Sequence, residues 1–445
     1  MISDCENLKV KEETEFRLGR IMKNNAVYNI KDVLRSVQTG QSLVDKGLGI
    51  PASSKMCGGI ADLSLMIPET VTLFVAPLAC CRHVTTHRWQ RTDRMFALAI
   101  EEIEVVNGTH LDKIRQAVLE IYEYCKVKPK MIVICGSCID RLAASDLEYV
   151  ARDLKKKITA EIIVTWEDPV ACRQEPPQVR CWKKLMSIWD HCNEKTNLAV
   201  NLIGRLYPPT DTSDLRWLLE KAGVKHVRYM TDCKTFDEYC SMGHASLNIV
   251  GEELSVKVAR DLEREYQIPY ITALPTFDID AVHQMYHSVG EMLGINIHDE
   301  EIYKKTKQEI HEFRERRKQQ PITMAVGETF AGSVNGFHIA RDILKLGIDV
   351  QYIYSDGMLA KKEDEIAWIA GNHPDTQVVF TNSAFSREVL LDPPKVDVAW
   401  GMGEKWFLNK RDCWIDSEKR AIYCDYESIL WFMKEVEAKK NEESF

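Results

Sequence analysis

The sequence predicts an α/β protein with parallel sheets flanked by helices. Two observations predict it. Short β-rich apolar runs alternate with helix-length amphipathic segments from about residue 70 to the end of the chain, the grammar of strand–helix–strand units. The runs are also apolar along their whole length, as strands buried on both faces are. In chain order the pattern reads strand 71–76, helix 111–124, strand 131–135, helix 147–156 and strand 161–165. It continues with strand 199–203, helix 215–222, strand 246–250 and helices 256–266 and 279–293. Strand 323–326, helix 336–346 and strands 377–381 and 396–400 close it.

A length of 445 residues makes about three domains at roughly 150 residues each. The punctuation agrees. Tyr207-Pro208-Pro209-Thr210-Asp211 breaks the chain after one strand, and a long charged helix over 300–320 ends at Gln319-Gln320-Pro321, where a new strand begins. The proposed spans are an N-terminal arm over 1–49 and α/β domains over 50–195, 196–319 and 320–445. The charged arm and the tail around Lys439-Lys440 read as peripheral, and 166–181, with Pro169, Pro176 and Pro177, reads as an irregular loop.

A net charge of −9 argues against binding nucleic acid or an anionic membrane, which needs a basic surface. No apolar run approaches the roughly 18 residues of a membrane helix, and the charged start Met1-Ile2-Ser3-Asp4 does not read as a signal peptide. The expectation is a soluble cytoplasmic protein.

Fourteen cysteines stand out. A disulfide framework belongs to short secreted domains, so here thiols, redox groups or metal ligands are the readings. Three segments place cysteines at turns beside strand or helix starts: Ser54-Lys55-Met56-Cys57-Gly58-Gly59, Ala76-Pro77-Leu78-Ala79-Cys80-Cys81-Arg82-His83, and Ile134-Cys135-Gly136-Ser137-Cys138-Ile139-Asp140. Ligand sites in open α/β sheets form at such strand ends. Cys57, Cys80, Cys81, Cys135 and Cys138 are therefore the candidate metal ligands. Scattered cysteines are usually small buried hydrophobes, the reading for Cys125, Cys172, Cys181, Cys192, Cys233, Cys240, Cys413 and Cys424. An iron–sulfur site competes with zinc held by Cys80 or Cys81 together with His83 and His87, which are spaced for one helix face. Arg82, Arg88, Arg91 and Arg94 add basic density that offsets an anionic cluster or serves as a solvated or partner-docking face.

No P-loop occurs, so the chain does not read as a nucleotide-hydrolysing subunit. Gly327, Gly332 and Gly336 lie in a loop between a strand and a helix, where they either cradle a cofactor or simply permit the turn. Asp140, Glu252, His244 and His338 are acid–base candidates beside strand ends.

The cysteine segments resemble those of the nitrogenase component 1 superfamily. Ala76-Pro77-Leu78-Ala79-Cys80 is similar to the family's Gly-Pro-x-x-Cys, and the nine residues from Cys138 to Asp146 to its Cys-x-x-x-Leu-Ile-Gly-Asp-Asp. Cys57 precedes Cys80 by 23 positions and Cys138 follows it by 58, spacings similar to the family's. Leu247-Asn248-Ile249-Val250, Tyr266-Gln267-Ile268-Pro269 and the stretch from Gly401 to Trp406 extend the likeness from about Ser53 over most of the chain.

The resemblance implies three Rossmann-like domains and an iron–sulfur cluster, [4Fe-4S] or larger and P-cluster-like, ligated by Cys57, Cys80 and Cys138 at a subunit interface. Cys81 and Cys135 are extra to the pattern. It also implies a homodimer or a heterotetramer with a paralogous subunit, an ATP-dependent iron–sulfur reductase as electron donor, and room for a second metal or organic cofactor. Two departures count against dinitrogen reduction by this chain alone: Glu252 stands where alpha subunits carry a cofactor-holding cysteine, and no histidine follows His373. The expected function is an oxidoreductase subunit, with a cofactor-assembly scaffold or a zinc-stabilised binding protein as alternatives.

Overall fold

The computed structural model describes residues 26–43, 63–84, 93–167, 175–191, 198–204, 208–327, 335–357, 359–401, 413–416 and 420–442. The first strand, β1 (Val27–Asn29), leads into helix Ile30–Thr39. That helix starts where the Asn29 side chain accepts the Lys31 N–H and stops at Gly40 in the left-handed conformation.

Strands β2 (Thr70–Ala76), β3 (Met95–Ala99), β4 (Met131–Ser137) and β5 (Glu161–Glu167) form a parallel sheet in the order β3-β2-β4-β5. β2 and β4 are buried along their full length, and their alternate residues feed two cores, as the period-2 pleat requires. Phe74, Ala76, Met131, Val133 and Cys135 enter one; Leu73, Val75, Ile132 and Ile134 enter the other. A second parallel sheet, order β7-β6-β8-β9, comprises β6 (Ala199–Ile203), β7 (His226–Tyr229), β8 (Leu247–Val250) and β9 (Tyr270–Thr272). Ala199, Ile203 and Val250 share the first of those cores with Phe74 and Met131. Both sheets belong to one compact unit, Met56–Leu274 with Gln284–His298.

The other unit, Met1–Lys55 with Pro275–His283 and Asp299–Phe445, holds a six-stranded sheet. Its strands are β10 (Thr323–Gly327), β11 (Asp349–Ser355), β12 (Gln377–Phe380), β13 (Val398–Gly401) and β14 (Trp414–Asp416), in the order β1-β12-β11-β10-β13-β14. All pair in parallel except β1, which runs antiparallel to β12.

The α/β class with helix-flanked parallel sheets is what the sequence predicts. Two local readings differ. Residues 27–39 are no peripheral arm but a strand and helix of the third sheet. Pro177–Met186 is a helix, not irregular loop: Pro177 stands at its first turn, where a missing N–H costs nothing. Among the described residues no helix is long and apolar enough to cross a membrane.

In each sheet the connections change direction once. From β2 the chain steps to β3 on one side and then crosses to β4 on the other. β6 relates to β7 and β8 in the same way, and β10 stands between β11 and β13. The carboxyl ends at such a reversal leave a crevice that neighbouring crossovers do not cover. These crevices lie after Ala76 and Ser137, after Ile203 and Val250, and after Gly327 and Gly401.

Candidate functional site

The crevice of the first sheet carries the cysteines. β2 and β4 are adjacent and parallel, with Val75 opposite Gly136, so the chain leaves both strands at the same end. Helix Leu78–Val84 follows β2 and bears Cys80 and Cys81; helix Cys138–Leu142 follows β4 and begins with Cys138. Cys80 is exposed and Cys138 partly so. Gly136, next to last in β4, is closely packed: a Cβ there would lie 2.7 Å from Leu147 Cδ1 and 2.9 Å from Trp166 Cζ3.

The turn that presents Cys138 is fixed by hydrogen bonds. Ser137 caps the helix, its N–H and hydroxyl both donating to Asp140 Oδ2 at 3.2 and 3.1 Å. Asp140 is fully buried, and burial pushes its carboxyl above the ordinary carboxylate range against those bonds. Its Oδ1 lies 3.4 Å from His110 Nε2. The buried His110 also pairs with Ser145 Oγ at 2.9 Å and the Glu104 carbonyl at 3.2 Å. Asp140 thus orders the turn after Cys138. Ala144, where the resembled pattern has glycine, adopts a left-handed φ of 54°.

Cys81 and Cys135 sit differently. Both are buried in the apolar core. The Cys81 thiol donates to the Ala76 carbonyl at 3.3 Å, and burial pushes its pKa up. A buried neutral thiol acts as a small hydrophobe rather than a ready ligand, so the structure gives these two cysteines a packing place. Cys181, Cys413 and Cys424 are buried too, as is Cys233, whose thiol burial pushes up to about 12. Cys57, Cys172, Cys192, His87 and Gly332 lie outside the described residues. Among the described residues no group of three or more His, Cys, Asp or Glu is placed to hold a metal ion. Cys80 and Cys138 are soft donors at one sheet end, a set that suits iron–sulfur iron once further thiolates join them.

The remaining candidates divide. Glu252 is buried at the crevice of the second sheet and accepts a hydrogen bond from Ser255 Oγ at 3.0 Å. Gly204, with φ 92°, faces it so closely that a Cβ would lie 3.0 Å from Glu252 Cβ. His244 is not at a strand's carboxyl end: it closes the 3-10 turn Ser241–His244 before β8. His338 follows Asn335, which caps helix Gly336–Lys345. Its Nδ1 is 3.6 Å from Glu365 and 3.1 Å from an Arg341 nitrogen, and contact with His338 lowers the Glu365 carboxyl pKa. Gly327 ends β10 and Gly336 begins that helix, so two of the three glycines flank the third crevice.

Sequence reasoning missed three features. Arg94 belongs to no solvated face: its guanidinium donates to the carbonyls of Leu65, Ile67 and Thr70 at 2.7, 3.0 and 3.4 Å, tying down the segment that leads into β2. His110 gave no signal, since its partners are remote in sequence. Finally, Leu78, Ile103, Val106 and Leu142 are 56% to 81% exposed on helices that follow β2, β3 and β4. They put apolar surface at the same sheet end as Cys80 and Cys138.

The family model described as nitrogenase component 1 type oxidoreductase matches residues 55–436. The nitrogenase iron-molybdenum cofactor biosynthesis protein NifE of Clostridium pasteurianum is 21% identical over 409 residues, covering 86% of each chain. That of Methanosarcina barkeri is 22% identical over 410 residues, 84% of this chain and 85% of the relative. The nitrogenase molybdenum-iron protein alpha chain of Methanothermococcus thermolithotrophicus is 22% identical over 298 residues, 62% of this chain and 60% of its own. Among solved structures, nitrogenase Cp1 at pH 6.5 superposes with a TM-score of 0.71 at 14% identity, covering 90% of this chain and 95% of that one.

Proposed function

Because the chain belongs to the nitrogenase component 1 type oxidoreductase family, we propose that it is an iron–sulfur subunit of a nitrogenase-like oxidoreductase. Cys57, Cys80 and Cys138 would hold the cluster at an interface with a second copy or a paralogous subunit. The observation that carries this reading is the joint placement of Cys80 and Cys138 after two adjacent parallel strands, with exposed Leu78, Ile103, Val106 and Leu142 on the helices that follow β2, β3 and β4. When bound, such a cluster supplies one-electron chemistry. The chain's own residues present the thiolates, fix the Cys138 turn through Ser137 and Asp140, and offer the apolar rim that excludes water. A separate ATP-dependent iron–sulfur reductase is the electron donor in this reading. Cys81 and Cys135 stay in the core.

The test is iron, zinc and acid-labile sulfide per chain on anaerobically purified protein, with an electron paramagnetic resonance spectrum after reduction. Several irons with matching sulfide are expected. Cys138→Ala should lose them, while Cys135→Ala should keep them. Zinc alone, or full iron in Cys138→Ala, would sink the assignment.

A second reading, a scaffold on which a metal cofactor is assembled, is favoured by the cofactor biosynthesis proteins among the relatives. Substrate turnover with reductase and ATP supports the first reading. Transfer of bound metal to an apo-enzyme without turnover supports the second.

A further inference from the structure

Beside the Cys138 helix, but outside the crevice that holds the cysteines, the first unit contains a cleft of about 880 Å³, within the range of small-molecule sites. One wall is the turn and helix start from Asp140 to Glu148; the other is the helix around Arg180 to Ser187; the floor is the end of β5, Val164 to Trp166. The Glu148–Lys184 ion pair, 2.7 Å, spans the two walls.

Two buried polar atoms lining this cleft lack hydrogen-bond partners among the described residues. Thr165 is 2% exposed and its Oγ1 is unbonded; Asp140 Oδ1 accepts no hydrogen bond, the His110 Nε2 atom lying 3.4 Å away. Leaving such groups unmatched forfeits their hydration without replacement, so a native protein normally meets them with a ligand or ordered water. Cations also converge here. Arg141 lies over the Trp166 ring at 5.1 Å, and Arg180 lines the opposite wall. Of the other carboxylates in the lining, Glu175 is bound to Lys183, Glu148 to Lys184, and Asp146 accepts the Tyr149 N–H.

We propose that this cleft binds a small organic carboxylate bearing an adjacent hydrogen-bond donor. The guanidinium groups of Arg141 and Arg180 take the carboxylate, as the planar fork of arginine does best, while the ligand's hydroxyl or ammonium group donates to Asp140 Oδ1 and Thr165 Oγ1 completes the set. Hydroxy acids and amino acids share this chemistry. The site does not depend on the cluster assignment, since none of these residues is a proposed ligand.

The experiment is isothermal titration calorimetry on the full chain with L-malate, L-glutamate and succinate, before and after iron removal. Malate or glutamate should bind at least tenfold more tightly than succinate, which lacks the donor, and their preference over one another tells hydroxy acid from amino acid. Arg180→Leu and Thr165→Val should each weaken binding at least tenfold while Lys304→Ala, remote from the cleft, leaves it unchanged. Circular dichroism verifies that each variant is folded; should Arg180→Leu fail to fold, Arg141→Gln replaces it. Succinate binding as tightly as malate and glutamate, no binding of any acid at millimolar concentration, or equal affinity in folded variants would overturn the proposal.

Discussion

Ala144 holds a left-handed backbone (φ 54°) directly after the Cys138 helix, where the family pattern has glycine. Its Cβ meets the following carbonyl in that conformation, a penalty of roughly 1–2 kcal/mol for an L-residue. Ala144→Gly should therefore raise unfolding stability by about 1 kcal/mol, net of the glycine's extra chain entropy, as read from a denaturant melt. At this scale the sequence was informative about spacing and silent about burial. Neighbouring Cys80 and Cys81 have equivalent positions in the text of the chain, yet successive helical residues point about 100° apart, from the 3.6-residue repeat. One is exposed and the other enters the core. Asp140 was legible as a strand-end carboxylate, but the approach of His110, itself bonded to Ser145 Oγ, is set by tertiary packing.

Among the elements, most strands legible from composition have neighbours on both sides, such as β2, β4, β6, β8 and β10, but the edge strand β5 was read and the interior β11, where Gln351 interrupts the apolar run, was not. Edge strands β1, β3, β7, β9 and β14 escaped, because an edge needs no continuous apolar run; β3 is only half-buried along its length. Helix ends carry a separate prediction. Asp278 is bound by Lys345 at 2.6 Å, and Asp397 by Lys440 and the Thr323 N–H, which is 2.8 Å away. Burial alone would raise both carboxyl pKa values, but these partners outweigh it and lower them. A depressed folded pKa gives stability that is full above the unfolded value of about 3.9 and is lost as pH falls through the folded one. Lys345→Met should move the acid unfolding midpoint of this unit to higher pH, followed by tryptophan fluorescence, with little change near neutrality in the shape of the transition.

On the scale of the molecule, the exposed Leu78, Ile103, Val106 and Leu142 belong to one sheet end, and clustered apolar surface on a folded protein marks an interaction face. Leu78→Asp together with Val106→Asp should weaken subunit association at least tenfold in analytical ultracentrifugation and leave the melting temperature nearly unchanged, since neither side chain is in the core. A stable oligomer in the double variant would remove this face from the interface. The α/β class was legible because buried parallel strands write long apolar runs. The reversal of strand order that makes each crevice was not, because strand pairing depends on contacts far apart in the chain.

The antiparallel pairing of β1 with β12 has a consequence for biosynthesis. Asn29 donates to the Pro374 carbonyl across 345 positions of sequence, so the first strand leaves the ribosome long before its partner exists. At about 5–20 residues per second, translation alone keeps β1 and its amphipathic helix waiting roughly 17–70 s. Throughout that interval Ile30 and Val33, fully buried in the finished protein, have no sheet to cover them. The sheet that holds β1 can therefore close on this helix only after the chain has been made through β12.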